Sequence, residues 1–376
     1  MYQMKNTTDS TSDKVIIVNL RSDTFTKPSQ TMRQAMFEAE VGDDVCREDP
    51  TVIKLEQMAA NLLGTEAALF VSSGSMGNLI AAMVHCNVRG CEVYLGEESH
   101  IVQHEQGSLA QIAGVTIYPL PNNHDGTFDL DFLQYKIRNP NDVHHPISRM
   151  IAVENTINGK ILPVTWLNKV VEFAKKNNLK LHMDGARLWN AVIASNISVK
   201  EVVRGFDSVS FCLSKGLGAP VGSLLCGSNE FITQARRCRK ALGGGMRQVG
   251  IIAAAGLVAL ENRFRLASDH EKATKMMTAI NNVGSKVIYV DPKTVQTNMV
   301  FVIVKGLPSV TAETVVERLQ VVEDDHKDDK VIVQAWAEWR ENLRLVFHVD
   351  ITDEMLEAAI RKVIYVIKKL DPALHQ

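Results

Sequence analysis

The sequence predicts an α/β protein built on a mainly parallel sheet with helices on both faces, followed by a smaller C-terminal α+β domain. From about Pro50 to Leu225, helical patterns alternate with short β-rich runs, as in chains that build parallel sheets. These runs are apolar nearly throughout, which is typical of strands buried on both faces. Beyond about residue 265 the pattern changes to short strands and two further helices. The length of 376 residues is also more than one small core requires.

The individual elements follow from periodicity and from glycine stops. The stretch VIKLEQMAANLLG repeats its apolar residues at the helical spacing and stops at Gly64, and a second amphipathic stretch covers 164–177. Further helices are predicted at 76–86, 101–114, 248–264, 312–320 and 353–370. Strands are predicted at 67–71, 91–95, 116–120, 150–153, 179–183, 208–213, 287–290, 298–304, 331–335 and 342–348.

The predicted organisation is a disordered tail over 1–17, a large domain over 18–265 and a small domain over 266–376. The first residues are polar and lack an apolar signal core and an arginine-rich pattern, so a cytoplasmic location is expected. A formal net charge of −2 without a basic run argues against a nucleic-acid partner. No apolar run is long enough to cross a membrane. The six cysteines are scattered, which favours free thiols over a disulfide framework or a metal site.

The stretch SSGSMGN, residues 72–78, lies between a predicted strand and a predicted helix. Glycine lets the backbone approach an anion, hydroxyls donate to it, and a helix N-terminus presents free N–H groups. The stretch matches neither a Walker loop nor a GxGxxG fingerprint, which argues against ATP or a dinucleotide as the ligand. An ordinary strand-to-helix turn capped by serine explains these residues equally well.

Three more polar residues follow predicted strands. Asp184 needs a cationic or hydrogen-bonding partner at a buried strand end, and a structural ion pair with Arg187 would supply one. Lys215 opens a glycine-rich loop, where it is either a solvated side chain or an amine that forms a Schiff base. His100 could stack on a cofactor ring, move a proton or cap a helix. A lysine, a buried acid and an anion site together meet the needs of pyridoxal 5′-phosphate.

Eight motifs resemble, in order and spacing, those of the low-specificity L-threonine aldolases, which are fold-type-I pyridoxal-phosphate enzymes. These motifs are NLRSDTFTKPS, VGDDV…EDPT, SSGSMGN, ESHIVQHE, ENTINGK, LHMDGARLWNA, CLSKGLGAPVGSLL and GGGMRQVGIIAAAG. The resemblance runs from about Val18 to Leu260 and is thinner beyond, where NLRLVFHVD is the clearest anchor. It implies retro-aldol cleavage of L-threonine and L-allo-threonine to glycine and an aldehyde. It further implies a homotetramer with active sites at subunit interfaces.

The resemblance also implies which residues hold the cofactor. Lys215 would form the Schiff base, Asp184 would bind the pyridinium nitrogen and His100 would stack on the ring. The residues that would contact the phosphate or its surroundings are Gly74, Ser75, Met76, Arg187 and Arg247, the last one from a neighbouring subunit in one interpretation.

A second set of residues is implied for the substrate. The residues that resemble ligands of its carboxylate are Ser22, Arg187 and Arg344. Guanidinium groups suit this task because they bind a carboxylate through two hydrogen bonds. His144 aligns with the histidine that faces the substrate hydroxyl, with His145 as the neighbouring alternative, and either His100 or His144 is expected to act as the base.

The chain also departs from the family pattern. Cys46 and Arg47 stand where relatives commonly carry a tyrosine after GDDV, and His104 replaces an aromatic residue after the stacking histidine. The stretch 321–339 looks longer than in relatives and has no assigned role. Cys46 and His104 keep open the alternative of a catalytically silent structural relative. A separate alternative is another fold-type-I enzyme, such as a β-eliminating lyase or a serine hydroxymethyltransferase-like protein. No metal is expected.

Overall fold

The structure is a computed structural model that describes residues 15–307, 309–322, 330–338 and 341–375. The chain forms two compact units. The larger unit comprises Asp23–Glu271 and Gln296–Asn298, and the smaller unit comprises Lys272–Val295, Met299–Gln376 and the segment that ends at Ser22. Of the tail predicted over 1–17, residues 1–14 lie outside the described residues, and residues 16 and 17 belong to a strand.

The helices and strands are numbered in chain order. The strands are β1 (Ile16–Asn19), β2 (Ala67–Val71), β3 (Cys91–Gly96), β4 (Thr116–Leu120), β5 (Ile147–Glu154), β6 (Lys180–Asp184), β7 (Ser208–Cys212), β8 (Ser223–Gly227), β9 (Ile288–Val290), β10 (Met299–Val304), β11 (Val331–Gln334), β12 (Trp336–Glu338) and β13 (Asn342–Val346). The helices are α1 (Gln30–Phe37), α2 (Pro50–Leu63), α3 (Gly74–His85), α4 (His100–Gln103), α5 (Leu130–Lys136), α6 (Val164–Lys176), α7 (Leu188–Ser195), α8 (Val199–Val202), α9 (Asn229–Ala241), α10 (Gly250–Glu261), α11 (Leu266–Asn282), α12 (Ala312–Leu319) and α13 (Asp353–Leu370).

The larger unit is organised around a seven-stranded sheet in the order β2-β8-β7-β6-β5-β3-β4. Six strands run in one direction, and only β8 is antiparallel to its neighbours β2 and β7. The strands β3, β7 and β8 are buried along their whole length, which explains why their sequences carry no apolar–polar alternation. The predicted fold class is therefore confirmed, with β8 as a strand that the rhythm of the sequence did not reveal.

The helix predicted over 101–114 is wrong. The chain forms only the short α4 there and then a π-helical turn over Leu109–Ala113. Between them, Gln106 and Gly107 take positive φ angles of 54° and 61°, which a right-handed helix cannot accommodate. The break brings Glu105 into the protein, where its side chain is buried.

The smaller unit contains two sheets. β1 and β11 form a parallel pair, and a four-stranded antiparallel sheet has the order β12-β13-β10-β9. The amphipathic helices α12 and α13 contribute to the apolar core of this unit. Part of the stretch 321–339 lies outside the described residues, whereas 331–338 supplies β11 and β12. None of the helices that the structure describes combines the length and the apolar character needed to cross a membrane.

Candidate active site

Five strand ends of the larger unit bring polar residues to one edge of the sheet. The carboxyl end of β2 leads to Ser73 and the start of α3, and β3 leads to His100 at the start of α4. β5 ends at Glu154, β6 ends at Asp184, and β7 is followed by Lys215. Because these five strands run in the same direction, their carboxyl ends meet at the edge where open α/β sheets bind ligands.

The N-terminus of α3 lies at the carboxyl end of β2 and packs closely against β7. Ser73 caps the helix, because its hydroxyl accepts a hydrogen bond from the Met76 N–H at 3.2 Å. The other N–H groups of a first helical turn have no partner within the helix and favour an anion. A side chain at Gly74 would place its Cβ 2.9 Å from the Cys212 sulfur, so glycine is needed for this approach to β7. Gly74, Ser75 and Met76 thus lie where a phosphate would meet the helix.

Asp184 is buried and holds two hydrogen bonds. The Asn78 Nδ2 donates to Oδ2 at 2.7 Å, and the backbone N–H of Ala186 donates to Oδ1 at 3.0 Å. Its side chain therefore presents an acceptor-rich carboxylate at the strand end. The alternative of a structural ion pair between Asp184 and Arg187 is wrong, because Arg187 binds a different carboxylate.

That carboxylate belongs to Asp23. Arg187 donates from Nε to one oxygen at 2.8 Å and from Nη2 to the other at 2.6 Å. Burial alone would raise the pKa of Asp23, but the guanidinium of Arg187 outweighs it and lowers the pKa to about 2, with smaller contributions from Lys215 and Asn298. Arg187 is thus fixed in one orientation by an ionised partner.

His100 is held by two carboxylates. Its backbone N–H donates to Glu154 Oε2 at 2.6 Å, and its ring Nδ1 lies 2.9 Å from Glu105 Oε1. The hydrogen bond to Glu105 raises the pKa of His100 above its ordinary value, and the nearby charge of Asp184 acts in the same direction. The ring of His104 lies 5.4 Å from that of His100, at an angle of 56°.

Glu154 and Lys215 complete the charged cluster. Burial and repulsion from Asp184 raise the pKa of Glu154 to about 7, although Lys215 and His100 act against this shift. Lys215 is half-buried, and its carbonyl accepts hydrogen bonds from the Thr26 hydroxyl at 3.1 Å and from a loop N–H at 2.8 Å. The backbone of the lysine is therefore held in an ordered turn, and its charge acts on the buried carboxyl groups of Asp23 and Glu154. Its role as the amine that forms a Schiff base stays a prediction.

Four predicted site residues are not brought to this cluster within the described larger unit. His144 is exposed near the amino end of β5, the edge opposite Asp184, and its N–H donates to Asp142. Arg247 is exposed and forms an ion pair with Asp43 at 2.8 Å. The other two, Ser22 and Arg344, belong to the smaller unit. Their roles stay predictions.

Arg344 and Ser22 have their own surroundings in the smaller unit. Arg344 forms an ion pair with Glu338 at 3.0 Å, and its guanidinium lies 5.5 Å from the centre of the Trp336 ring. Ser22 is buried. An arginine already paired in this way keeps a fixed plane, which suits recognition of a carboxylate.

Four carboxyl or amide residues of the site were missed by sequence reasoning. They are Asp23, Asn78, Glu105 and Glu154. Glu154 opens the motif ENTINGK, and Asn78 closes the motif SSGSMGN. Both motifs lie at the end of a predicted strand, and this position could have identified the two residues as members of the site. Glu105 closes the motif ESHIVQHE, but the continuous helix predicted over 101–114 lacks the break that buries its side chain.

The cluster fits pyridoxal 5′-phosphate. A helix N-terminus suits its phosphate, a carboxylate with two donors suits its ring nitrogen, and a primary amine suits its aldehyde. The buried Nδ2 of Asn155 and Oε2 of Glu105 have no hydrogen-bond partner among the described residues.

His100, Glu105 and Asp184 offer ligand atoms within 4.8 Å of one another, a spacing that a metal could use. The amide of Asn78 already donates to both carboxylates, which favours an organic cation over a metal.

Known proteins are similar to this chain in sequence and in fold. The family model described as beta-eliminating lyase matches residues 19–305. Low-specificity L-threonine aldolase 1 of Arabidopsis thaliana is 48% identical over 308 residues, which are 81% of this chain and 86% of that protein. The low specificity L-threonine aldolase of Escherichia coli strain K12 is 42% identical over 341 residues, 90% of this chain and 96% of that protein. Among solved structures, a threonine aldolase of Leishmania major has the same fold, with a TM-score of 0.76, 19% identity and coverage of 94% and 99%.

Proposed function

Because this chain belongs to the beta-eliminating lyase family, we propose that it is a pyridoxal 5′-phosphate-dependent L-threonine aldolase. It cleaves the Cα–Cβ bond of L-threonine and L-allo-threonine and releases glycine and an aldehyde. Relatives named low-specificity L-threonine aldolase support this proposal at 42–48% identity. The main observation in support of the proposal is that Lys215, Asp184 and the N-terminus of α3 lie at the same edge of the sheet.

Different residues of the site contact different parts of the cofactor and the substrate. When bound, pyridoxal 5′-phosphate supplies an aldehyde that condenses with an amine and a ring that accepts the electron pair of the broken bond. Lys215 presents the amine that holds it, and Asp184 presents an anion to the ring nitrogen. The first turn of α3 donates its N–H groups to the phosphate, through Gly74 to Met76. Arg187 binds the substrate carboxylate, and the same role stays a prediction for Ser22 and Arg344.

Cleavage requires a base that takes the proton of the β-hydroxyl. As the oxygen loses this proton, it forms the aldehyde carbonyl and the Cα–Cβ bond breaks. His100 is the better placed candidate within one chain, because Glu105 fixes its Nδ1 and leaves Nε2 as the nitrogen that accepts a proton. His144 would have to come from a second copy of the chain, since it lies at the opposite edge of its own sheet.

The test is a product assay with the holoenzyme. Incubation with L-threonine, L-allo-threonine and their D-isomers is followed by measurement of glycine and acetaldehyde. The proposal expects equal amounts of both products from the L-isomers. A 2-oxo acid with ammonia and without glycine would instead assign the chain to β-elimination, and the absence of any product would favour the catalytically silent alternative.

We further propose a cytoplasmic homotetramer that forms glycine from threonine, with active sites shared between subunits. The exposed positions of His144 and Arg247 support shared sites, because neither side chain joins the cluster of its own larger unit. Light scattering of the purified holoenzyme measures the assembly directly. A monomer that retains full aldolase activity would contradict the shared-site proposal.

A further inference from the structure

A chain of hydrogen bonds runs behind the two buried carboxylates of the site, between α3 and the sheet. The relay, as we call it, consists of His85, Ser208, His182 and Asn78. His85 Nε2 lies 2.8 Å from the Ser208 hydroxyl, which lies 2.8 Å from His182 Nδ1, and His182 Nε2 lies 3.0 Å from Asn78 Oδ1. All four side chains are buried, and none belongs to the residues that contact cofactor or substrate in the proposed function.

The amide of Asn78 fixes the direction of the relay. Its Nδ2 lies 2.7 Å from an oxygen of Asp184 and 2.9 Å from an oxygen of Glu105. An amide nitrogen only donates hydrogen bonds, so Asn78 turns both of its N–H hydrogens toward these two groups. The amide oxygen then faces His182, whose Nε2 must carry a hydrogen in order to donate to it.

The remaining donors follow from the neutral state of the two histidines. Burial lowers the pKa of His182 to about 4 and that of His85 to about 3. A neutral imidazole has one N–H, so His182 Nδ1 accepts the hydrogen of the Ser208 hydroxyl. The Ser208 oxygen in turn accepts from His85 Nε2. Every donor in the relay therefore points toward the carboxylates.

This direction has an electrostatic consequence. Glu105 and Asp184 hold oxygen atoms within 4.8 Å of each other, and two carboxylates at this separation repel, so that one of them tends to take up a proton. The amide of Asn78 opposes this because it donates one N–H to each carboxylate. Aligned hydrogen bonds behind the amide polarise it further in the same direction.

We propose that the relay keeps Asp184 and Glu105 ionised at the same time. Asp184 then meets the ring nitrogen as an anion, and Glu105 meets the His100 N–H as an anion. The relay residues act through these two carboxylates and are positioning residues. The inference rests on the proposed function for the identity of the cofactor, whereas the direction of the relay is a property of the protein alone.

The relay's direction is tested first in the unaltered full-length protein. Nitrogen-15 NMR of the imidazole groups distinguishes the two neutral tautomers and the charged form. We expect His182 as a neutral ring with the hydrogen on Nε2, and we expect the Ser208→Ala variant to lose this fixed tautomer. A charged His182, or one with its hydrogen on Nδ1, would overturn the proposal.

The effect on the site is tested by titrating the full-length chain with pyridoxal 5′-phosphate and following its visible absorption. His182→Leu removes the donor to Asn78, and we expect about tenfold weaker binding of the cofactor. His182→Gln retains an amide N–H near the position of Nε2 and is expected to restore most of the affinity. The matched control is Ser210→Ala, in the same strand as Ser208. It removes a buried hydroxyl that has no hydrogen-bond partner among the described residues, and we expect it to leave cofactor binding unchanged.

The outcomes separate this inference from the proposed function. If the unaltered chain binds the cofactor and cleaves threonine but His182→Leu binds as tightly, the relay proposal is wrong and the proposed function stands. If His182→Leu, His182→Gln and Ser210→Ala weaken binding equally, general packing explains the loss and the relay proposal is overturned. If the unaltered chain binds no pyridoxal 5′-phosphate, the proposed function fails, and the tautomer of His182 alone decides the relay.

Discussion

The carboxylate of Glu154 accepts a hydrogen bond from the backbone N–H of His100 at 2.6 Å, which ties the end of β5 to the start of α4. Burial and the charge of Asp184 raise the pKa of this carboxyl to about 7. The folded protein therefore holds a proton on Glu154 that the unfolded chain releases near the ordinary value of 4.5. Ionisation of Glu154 near neutral pH therefore destabilises the folded protein relative to the unfolded chain.

The raised pKa of Glu154 predicts how the free energy of unfolding depends on pH. Since the folded pKa of Glu154 is raised, its contribution to stability is full below about pH 4.5 and is lost as pH rises through about 7. We expect the free energy of unfolding without added cofactor to fall by about 1–3 kcal/mol over this range, relative to Glu154→Gln. Urea unfolding of both proteins at several pH values measures the difference. Parallel pH curves for the two proteins would contradict the assigned shift.

The ion pair between Asp23 and Arg187 gives a second prediction. Arg187→Ala leaves a buried anion without its cation, so we expect a loss of about 3–5 kcal/mol of folding free energy. The double variant Asp23→Ala with Arg187→Ala removes both charges and should recover part of this loss. Urea unfolding of the two single variants and the double variant measures the coupling. Additive effects would show that the pair does not contribute as a unit.

Gly74 provides a test of the phosphate turn. In Gly74→Ala the new Cβ would lie 2.9 Å from the Cys212 sulfur, so the start of α3 must move away from β7. We expect about tenfold weaker binding of pyridoxal 5′-phosphate without loss of the fold, because the helix retains its Ser73 cap. Adding Cys212→Ala removes the sulfur and should restore binding, as measured by titration of absorbance. If the second substitution restores nothing, close approach of helix and strand is not what Gly74 provides.

Glu105 is predicted to raise the pKa of His100, the proposed base. Glu105→Gln keeps an oxygen that accepts from His100 Nδ1 but removes the negative charge, so the pKa of His100 should fall. The rising limb of kcat/KM with pH should then move to lower pH, and the maximum should fall about tenfold because the base is weaker. A pH profile of threonine cleavage measures both effects. An unmoved limb would assign the base to a residue other than His100.

The sequence predicted the site best where local patterns determine it. Lys215, Asp184 and His100 each follow an apolar run, and parallel strands necessarily bring such positions to one edge. The partners of these residues were not predictable, because they depend on contacts between distant parts of the chain. Arg187 meets Asp23 from 164 positions away, and Asn78 reaches Asp184 across 106.

Two errors in the fold have similar causes. No strand was predicted at Ser223–Gly227, and the antiparallel direction of β8 depends on its pairing with β2 and β7, which local sequence does not determine. The break after α4 depends on positive φ angles at Gln106 and Gly107, of which only the glycine is suggested by residue type. That break also hid Glu105, and with it the charge partner of His100.

We propose that Lys215 binds pyridoxal 5′-phosphate covalently at the edge formed by β2, β3, β5, β6 and β7. Borohydride reduction of the cofactor-loaded chain makes this bond permanent, and peptide mass spectrometry then locates it. We expect the cofactor mass on the peptide that contains Lys215, and we expect Lys215→Ala to lose both this adduct and the visible absorption. Attachment to a different lysine, or an unchanged adduct in Lys215→Ala, would contradict the assignment of Lys215 as the covalent ligand.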